Sequence, residues 1–487
     1  ITASGIKRRL TQNAPVIGSP MYREFANPER QNVVGYWPVE DQAEATQSAG
    51  GRVGVPPGRV QGSPRMAGYS GWTASDPVPE MNTGAFTFSV PPYAPTGAIR
   101  VRMFVYFTSG AVQSETSLLE VHTTGSIPRW ELRVTTTGGL RTKAWYPDGT
   151  PVDDGPFVDF ENGALDAEFT NAVGGRGFVL LDFSLEQIGS NLRWVTEVFD
   201  FANTDTVDTL FPSFLFRGTL PNETAGAARM VLVGREQGLG EVKVGHLVVA
   251  DSMDAFDDSY PALAAWNGEN PTRRMARLCD EEGIRHVVVN KGVTSGNFVT
   301  LGDQLNGTLV DLLEEAATSD GGILFEPRDF LGFAYRTRGG MHNQPPAVVL
   351  DCGGRQITGD LTPVDDDRHT LNDLTVKREG GSSVHLEKTT GPLSTAEPPN
   401  GVGRYAGEVT LSLTRDSDLP DQAGWRLHLG TVDEARFPTL TVNLRSTGIT
   451  DELYEQIMEL DVGDRIVLTG IPGGLPPDDV SLLVEGY

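Results

Sequence analysis

The spacing of apolar residues changes period in the middle of residues 305–338. The first half repeats apolar side chains every three or four positions, which predicts one amphipathic helix ending near Ser319. That stripe consists of Leu305, Leu309, Leu312, Leu313 and Ala316. Asp320-Gly321-Gly322 then ends the helix, and Ile323–Phe325 and Phe330–Tyr335 predict a hairpin around Glu326–Asp329. The segment places no histidine, cysteine or serine for attack, so we interpret it as a packing element.

Alternation with period two dominates residues 30–252. Turns rich in Gly-Gly, Pro-Asp-Gly and Gly-Ser-Asn separate the short runs. The predicted strands are Ala98–Phe107, Leu118–His122, Trp130–Thr135, Leu140–Tyr146, Phe178–Gln187, Asn191–Asp200 and Val242–Val249. Short strands with such turns predict an antiparallel two-sheet jelly-roll sandwich.

The residues after this region combine a helical part with a second β-rich part. Residues 253–345 begin with a predicted helix at Thr272–Glu282 and a predicted buried strand at Val287–Val289, and residues 346–487 contain one helix, Asp451–Leu460, capped by Thr450. The strands predicted there are Ala347–Asp351, Leu371–Lys377, Ser383–Glu387, Gly407–Leu413, Leu440–Leu444 and Arg465–Thr469. The fold class is therefore mainly β with α+β parts.

Charge and length narrow the possible partners. The 487 residues are enough for two to four domains. A net charge of −26 argues against nucleic-acid binding and against anionic membranes, both of which favour basic surfaces. No apolar run approaches the roughly 18 residues of a membrane helix, so we expect no membrane insertion. Cys279 and Cys352, in different predicted domains, are expected to be free and buried.

The sequence lacks the common motifs of catalysis and cofactor binding. The sequence contains no His-Glu-x-x-His, no zinc-spaced cysteine pair, no Gly-x-Ser-x-Gly and no phosphate-binding loop. Asp159 and Glu161 could form the carboxylate pair of a glycosidase, but one such pair is expected by chance among 65 acidic residues. Asp153 and Asp154 with Asp159 could bind calcium, although an acidic loop is the simpler interpretation. We predict no enzymatic activity, no metal and no cofactor.

Sugar binding is the better-supported chemistry for the sandwich. Lectin-like sites place an aromatic face against a sugar ring, with amides and carboxylates nearby. Tyr69 and Trp72 lie in a Gly/Ser-containing loop and are the candidate glycan contacts. Trp130, Trp145 and Tyr146 were also considered, but Trp130 and Trp145, like Trp194, lie on predicted strands and are expected in the core. Trp425, beside Arg426 and His428, could anchor an interface, with core packing as the favoured alternative.

A set of short motifs runs in a fixed order through the last 220 or so residues. After the helix and hairpin of residues 305–338 come Asn372–Arg378, Gly403–Tyr405, Leu419–Leu427, Asp461–Ile466 and Leu483–Tyr487. In this order they resemble minor tail proteins, the tail-hub or tail-tip proteins of actinobacterial long-tailed phages. Tyr36 and Trp37, next to Pro38 and two carboxylates, resemble the entry strand of laminin-G-like, concanavalin-A-like sandwiches.

The resemblance implies a virion structural protein at the distal end of the tail. It implies a hub that is a homotrimer, with the distal tail, fibre and tape-measure proteins as neighbours and a sandwich that contacts host surface glycans. The domains implied are 1–29 (the exit from an upstream hub domain), 30–252 (the sandwich), 253–345 (α+β) and 346–487 (β-rich). The alternatives are a glycan-binding module of a secreted bacterial protein and, third, a wall-degrading enzyme.

Overall fold

A computed structural model describes residues 5–12, 14–107, 114–134, 140–152, 178–200, 214–256, 258–289, 299–342, 344–364, 368–433, 436–473 and 478–486. The chain divides into two compact units. The first unit contains residues 18–266 and 304–306, and the second contains residues 1–17, 267–303 and 307–487. The chain therefore leaves the second unit after Ile17, completes the first, and returns at Asn267. The domain boundaries at residues 29, 252 and 345 stay predictions.

The elements of both units are numbered in chain order. The strands are β1 Val33–Trp37, β2 Gln47–Ser48, β3 Gly58–Gln61, β4 Arg65–Tyr69, β5 Val78–Asn82, β6 Ala85–Ser89, β7 Ala98–Tyr106, β8 Thr116–Thr123, β9 Arg129–Val134, β10 Leu140–Trp145, β11 Phe178–Ile188, β12 Asn191–Asp200, β13 Phe214–Pro221, β14 Ala228–Val233, β15 Gly240–Ala250, β16 His286–Val288, β17 Ile323–Phe325, β18 Phe333–Arg336, β19 Val348–Asp351, β20 Asp373–Arg378, β21 Ser383–Glu387, β22 Ala406–Leu411, β23 Arg465–Thr469 and β24 Val480–Leu483. The helices are α1 Ile6–Thr11, α2 Pro20–Ala26, α3 Tyr260–Leu263, α4 Pro271–Glu281, α5 Leu309–Asp320, α6 Arg338–His342, α7 Leu419–Gly430 and α8 Asp451–Met458.

The first unit is a sandwich of two antiparallel sheets, as the alternating pattern predicts. One sheet has the order β13-β12-β11-β7-β15-β5-β4, with β1 also paired to β15. The other has the order β10-β9-β8-β14-β6-β3-β2. Inward side chains of both sheets, including Trp37, Trp130 and Trp194, form one buried core between them. The mainly β fold class is thereby confirmed.

The eight-stranded sheet also buries its outer face. Side chains that alternate with the core residues, such as Phe104 on β7 and Leu180 on β11, pack against Phe25 of α2 and Phe256. The same face contains a buried ionic group, because the Asp182 carboxylate accepts hydrogen bonds from Arg100 and Arg102. The helix α2 begins at Pro20 because the Ser19 hydroxyl accepts the Tyr22 N–H.

The second unit contains three small mixed sheets with helices packed on them. Their strand orders are β16-β18-β17, β19-β23-β24 and β21-β20-β22. The first sheet buries Phe333 and Tyr335 against α1, α4 and α5. The second packs on α8, and the third on α7. Each sheet has one parallel pair and one antiparallel pair.

The motifs that carry the tail-protein resemblance contact one another in this unit. Arg336, at the end of the hairpin, donates to the Asp464 carboxylate at 2.9 Å and to the Gly463 carbonyl at 3.2 Å. Both side chains of this ion pair are buried. Asn372 is fully buried, and its amide bonds the Gly403 carbonyl and the Tyr405 N–H. These motifs therefore hold together segments of the second unit that are far apart in sequence.

The helix and hairpin of residues 305–338 are present with different bounds. The helix α5 begins at Leu309 because Thr308 and Asp311 form a capping box, so Leu305 lies before it and is exposed. It ends at Gly321, whose φ of 78° is left-handed as expected. The second hairpin strand begins at Phe333, three residues later than Phe330, because residues 328–332 are bends.

Three other sequence predictions are corrected. The strand at Val287–Val289 was expected to be buried, but β16 is at the edge of its sheet and Val287 is exposed. Leu440–Leu444 forms no strand and makes only the isolated bridge Ile357↔Val442. Residues 419–430 form the helix α7, which the sequence analysis treated only as a motif. Proline at its second position and the absence of β-branched residues favour that helix.

The two cysteines are both free, and only one is fully buried. Burial raises the pKa of the Cys279 thiol to about 12, while Cys352 is half-buried. Within the described residues, we find no helix with the length and apolarity needed to cross a bilayer.

Candidate functional site

A β-bulge in β15 directs a histidine to the outer face of the eight-stranded sheet. Gly245 pairs with Phe104 and Val248 with Arg102, so one extra residue is accommodated on β15. His246 lies in that bulge with a φ of 48°, a conformation that is strained for a residue other than glycine. Its side chain is fully buried beside Tyr36, Phe104 and Trp72.

Both ring nitrogens of His246 have polar partners. Nδ1 lies 2.8 Å from the Tyr36 hydroxyl, and Nε2 lies 2.8 Å from the Ser75 hydroxyl and 3.2 Å from the Glu40 carboxylate. The Glu40 carboxylate also accepts hydrogen bonds from the Ser19 hydroxyl at 2.6 Å and the Asp76 N–H at 2.7 Å. This network fixes the loop from Trp72 to Asp76 against the sheet.

The network holds Glu40 in its ionised form. Burial raises the pKa of this carboxyl, but the charge of His246 and the hydrogen bonds from His246, Ser19 and Asp76 lower the pKa by more. The pKa of Tyr36 is well above its usual value, mainly because the phenol is buried, so Tyr36 remains a neutral hydrogen-bonding group. Burial and the neighbouring Glu40 charge also raise the pKa of Asp76.

Ser75, His246 and Glu40 contain the residue types of a catalytic triad in a different geometry. In a triad the carboxylate orients one ring nitrogen and the nucleophile contacts the other. Here the hydroxyl and the carboxylate both lie on Nε2, and Tyr36 occupies Nδ1. The Ser75 hydroxyl oxygen also lies 2.9 Å from the Glu40 carboxylate and 2.7 Å from the Asp76 carbonyl, and its one proton is donated to either acceptor. The arrangement therefore differs from a catalytic triad, and its hydrogen bonds hold the loop from Trp72 to Asp76.

The loop and the adjacent strands display a cluster of aromatic rings, which we call the aromatic platform: Tyr69, Trp72, Phe104 and Tyr106. The Trp72 ring lies 4.6 Å from Phe104 and meets His246 edge-on at 5.2 Å. Tyr69 stacks on Tyr106 at 5.2 Å. Tyr69, Trp72 and Tyr106 are half-buried, so each keeps part of its ring in solvent.

Polar and charged groups border the platform. The Lys243 ammonium lies 5.8 Å from the Tyr69 ring and 5.2 Å from the Tyr106 ring, a cation–π arrangement, and 3.7 Å from the Glu80 carboxylate. On the Trp72 side, the Asp76 carboxylate accepts a hydrogen bond from the Asn306 amide. Ser70 and Gly71, between the two candidate aromatics, are exposed. Partly exposed rings next to carboxylate and ammonium groups can contact the apolar face and the hydroxyls of a sugar.

The other candidate residues lie elsewhere. Trp130 and Trp194 are in the core, the expected alternative to sugar contact. Trp145 is half-buried on the outer face of the other sheet, where the Arg129 guanidinium lies 4.1 Å from its ring, and Tyr146 follows it. The carboxylates proposed for a glycosidase or calcium site, Asp153, Asp154, Asp159 and Glu161, lie outside the described residues. Among the residues that the structure describes, no three acidic, histidine or cysteine side chains form a metal-binding group.

The sequence analysis identified Tyr69 and Trp72 but missed the residues that position them. Gly245, a glycine inside a valine-rich strand, is a signal for a bulge that was available in the sequence. Glu40 was noted only as an acidic neighbour of Tyr36 and Trp37. Sequence spacing could not connect Glu40, Ser75 and His246, because β-sheet pairing alone brings these distant residues together.

Comparisons with known proteins return only distant structural similarity. No family model and no curated protein matches the sequence. The botulinum neurotoxin serotype D binding domain aligns with a TM-score of 0.34 at 7% identity, over 50% of this chain and 54% of that chain. A tail protein from Neisseria meningitidis MC58 aligns with a TM-score of 0.29 at 11% identity, over 61% and 82%. Trypanosoma rangeli sialidase aligns with a TM-score of 0.25 at 9% identity, over 48% and 33%. This chain thus spans about half the length of the toxin domain.

Proposed function

We propose that this protein is a structural component of a phage tail tip, a hub-like minor tail protein whose sandwich contacts glycans on the host surface. Its work in this proposal is assembly and attachment, without catalytic turnover. The hub-like part is the second unit, and the attachment part is the sandwich. A homotrimer contacting the distal tail, fibre and tape-measure proteins is the assembly that the sequence resemblance implies.

The observation that carries the proposal is the interruption of one unit by the other. Residues 1–17 and 267–487 form one compact unit apart from residues 304–306, and residues 18–266 form a sandwich between its two parts. An attachment domain inserted into an assembly domain has this chain order. It keeps the inserted sandwich tied to the assembly unit at both ends of the insertion.

The contacts among the resembling motifs support the assembly role of the second unit. Arg336 with Asp464, and Asn372 with Gly403 and Tyr405, join segments that are far apart in sequence. A buried Arg–carboxylate pair fixes geometry, because leaving either charge unpaired is costly. Buried contacts of this kind keep the second unit in one conformation, as a component of an assembly requires.

The aromatic platform supports glycan contact by the sandwich. Tyr69 and Trp72 keep part of their rings exposed, and the Glu40–His246 network fixes the loop from Trp72 to Asp76 before any ligand arrives. A preformed aromatic surface loses little conformational entropy on binding. The same platform would serve a secreted glycan-binding protein, which is therefore the second candidate function.

We expect Tyr69→Ala and Trp72→Ala each to weaken glycan binding about 10-fold or more, equivalent to about 1.4 kcal/mol, because each removes an aromatic contact. The measurement is binding of the full-length protein to an array of purified bacterial cell-wall polysaccharides. Trp145→Ala, which removes a half-buried tryptophan from the other sheet, is the matched control and should bind as the wild type does. Equal binding by all three variants would contradict a glycan site at the platform.

A further inference from the structure

A second cluster of aromatic and charged residues lies in the second unit, where α6 and α7 meet. We call it the basic–aromatic patch and define it by Arg338, His342, Trp425, Arg426 and His428. The guanidinium carbons of Arg338 and Arg426 lie 5.1 and 5.3 Å from the Trp425 ring centre, and His342 meets that ring edge-on at 5.8 Å. Trp425 is half-buried, so the preferred core placement is wrong and the interface alternative is open.

The positive charge of this patch is not neutralised within the described part of the chain. Those residues place no carboxylate within ion-pair distance of the Arg338 or Arg426 guanidinium, and Arg426 donates instead to the neutral Gln422 side-chain oxygen and the Thr318 carbonyl. Asp320, the acid whose charge acts on the pKa of Arg426, is buried and already accepts the Tyr335 hydroxyl and the Arg338 N–H. Burial and the Arg338 charge lower the pKa of Arg426 to about 10. An incoming carboxylate would relieve this repulsion.

The patch also has an apolar component on the same helix face. Leu429 follows Trp425 by four residues on α7, so the two side chains are neighbours, and Leu429 is 42% exposed. His342 and His428 are exposed beside them. A carboxylate alone would leave this apolar surface in water, so the patch fits an acidic segment that also presents apolar side chains.

The helix α8 of the same unit presents such a surface. Glu452 and Glu455 are exposed three residues apart on one face, and Met458, 48% exposed, follows three residues later on the same face. Asp451 and Glu452 are also favourable for the helix itself, because they lie in its first turn. Glu455 lies past that turn, so helix capping does not account for it.

We infer that the basic–aromatic patch of one copy binds the acidic face of α8 on a second copy. Arg338 and Arg426 would pair with Glu452 and Glu455, and Trp425 and Leu429 would cover Met458. The two surfaces differ, so the contact is head-to-tail and forms a ring when the rotation closes. The chain's net charge of −26 opposes random association, so only a locally complementary contact brings copies together. This inference rests on the proposed assembly role, and it identifies the two surfaces through which neighbouring copies would make contact.

The test is a charge reversal on each side of the contact, in the full-length protein. We expect Arg338→Glu and Glu455→Arg each to shift the protein to monomer by at least 10-fold in the association constant. The double variant Arg338→Glu/Glu455→Arg should restore association, because a head-to-tail contact then pairs the reversed charges. Mass photometry across a concentration series measures all of these, with circular dichroism confirming the fold.

Two exposed residues outside the contact are matched controls. Arg415→Glu and Glu397→Arg make the same charge changes elsewhere in the unit and should associate as the wild type does. A monomeric wild type, single variants that still associate, or a double variant that does not recover would overturn the inference. Protein found at the tail tip, with assembly unaffected by Arg338→Glu, would overturn the contact alone and leave the proposed function standing.

Discussion

Asp182→Asn is expected to lower the stability of the sandwich by about 3–5 kcal/mol, the loss typical of a buried ion pair deprived of one partner. The Asp182 carboxylate is 1% exposed and accepts hydrogen bonds from Arg102 at 2.7 Å and Arg100 at 3.0 Å. Arg102 is fully buried and Arg100 nearly so. Asparagine preserves the shape of the side chain and removes the negative charge. The two guanidinium groups then remain buried with no negative charge beside them.

The other contacts of Arg100 and Arg102 would compensate only partly for the loss of the Asp182 carboxylate. Their guanidinium carbons lie 4.5 and 5.0 Å from the Phe256 ring, and Arg102 also donates to the Ser259 hydroxyl at 3.2 Å. Burial lowers the pKa of Arg102, although Asp182 partly offsets this, so removal of the carboxylate makes the charged form still less favourable. Cation–π contacts of about 1–2 kcal/mol cannot replace the ion pair.

Hydrogen exchange of the full-length protein measures this effect at the two strands concerned. Amide protection in β7 and β11 should fall in Asp182→Asn by the factor that corresponds to the lost stability. Glu186→Gln is the control, since Glu186 lies on the same strand but pairs with Arg193 at the surface, where a salt bridge contributes less than about 1 kcal/mol. Unchanged protection in Asp182→Asn would refute the structural role given to this ion pair.

Glu40→Ala is expected to produce a loss of similar size, about 3–5 kcal/mol, for a related reason. Its carboxylate is the common acceptor for Ser19, Ser75 and the Asp76 N–H, and it lies 3.2 Å from His246. Removing it leaves several buried donors without their acceptor. We expect the loop from Trp72 to Asp76 to lose exchange protection, while Glu44→Ala, at an exposed position nearby, leaves it unchanged.

The same carboxylate gives a pH dependence with a defined sign. The pKa of Glu40 is lower in the folded protein than in the unfolded chain, so its contribution is present above the unfolded pKa of about 4.3 and disappears as pH falls through the folded pKa. The stability difference between the wild type and Glu40→Gln should be constant near neutrality and shrink in acid. A difference that grows as the pH falls would contradict the ionised assignment.

The sandwich was predictable from sequence because its strands follow the alternation of one buried and one less buried face. The strand β12, Asn191–Asp200, matches its predicted bounds, and β7 ends one residue before its predicted end. Short apolar segments that lie at a sheet edge or lack a pairing strand were less predictable. Leu440–Leu444 has the pattern of a strand but no strand pairs with it, and Val287 lies at a sheet edge.

The candidate site was predictable only in its exposed part. Trp72 has the loop context of a contact residue, which is visible in the sequence, whereas Tyr69, expected in the same loop, is the last residue of β4. The support beneath Trp72 depends on a bulge at His246 and on Glu40, more than 200 residues earlier. Local patterns contain no information about such a long-range contact, so it could be found only in the folded chain.

The proposed role in a tail tip is tested most directly by electron microscopy of intact particles from the source, labelled with an antibody against residues 30–250. We expect label at one end of the tail, in threefold or sixfold arrangement, with the sandwich facing outward. Label absent from every particle, with the protein free in the medium, would contradict a tail-tip role and favour a secreted glycan-binding protein.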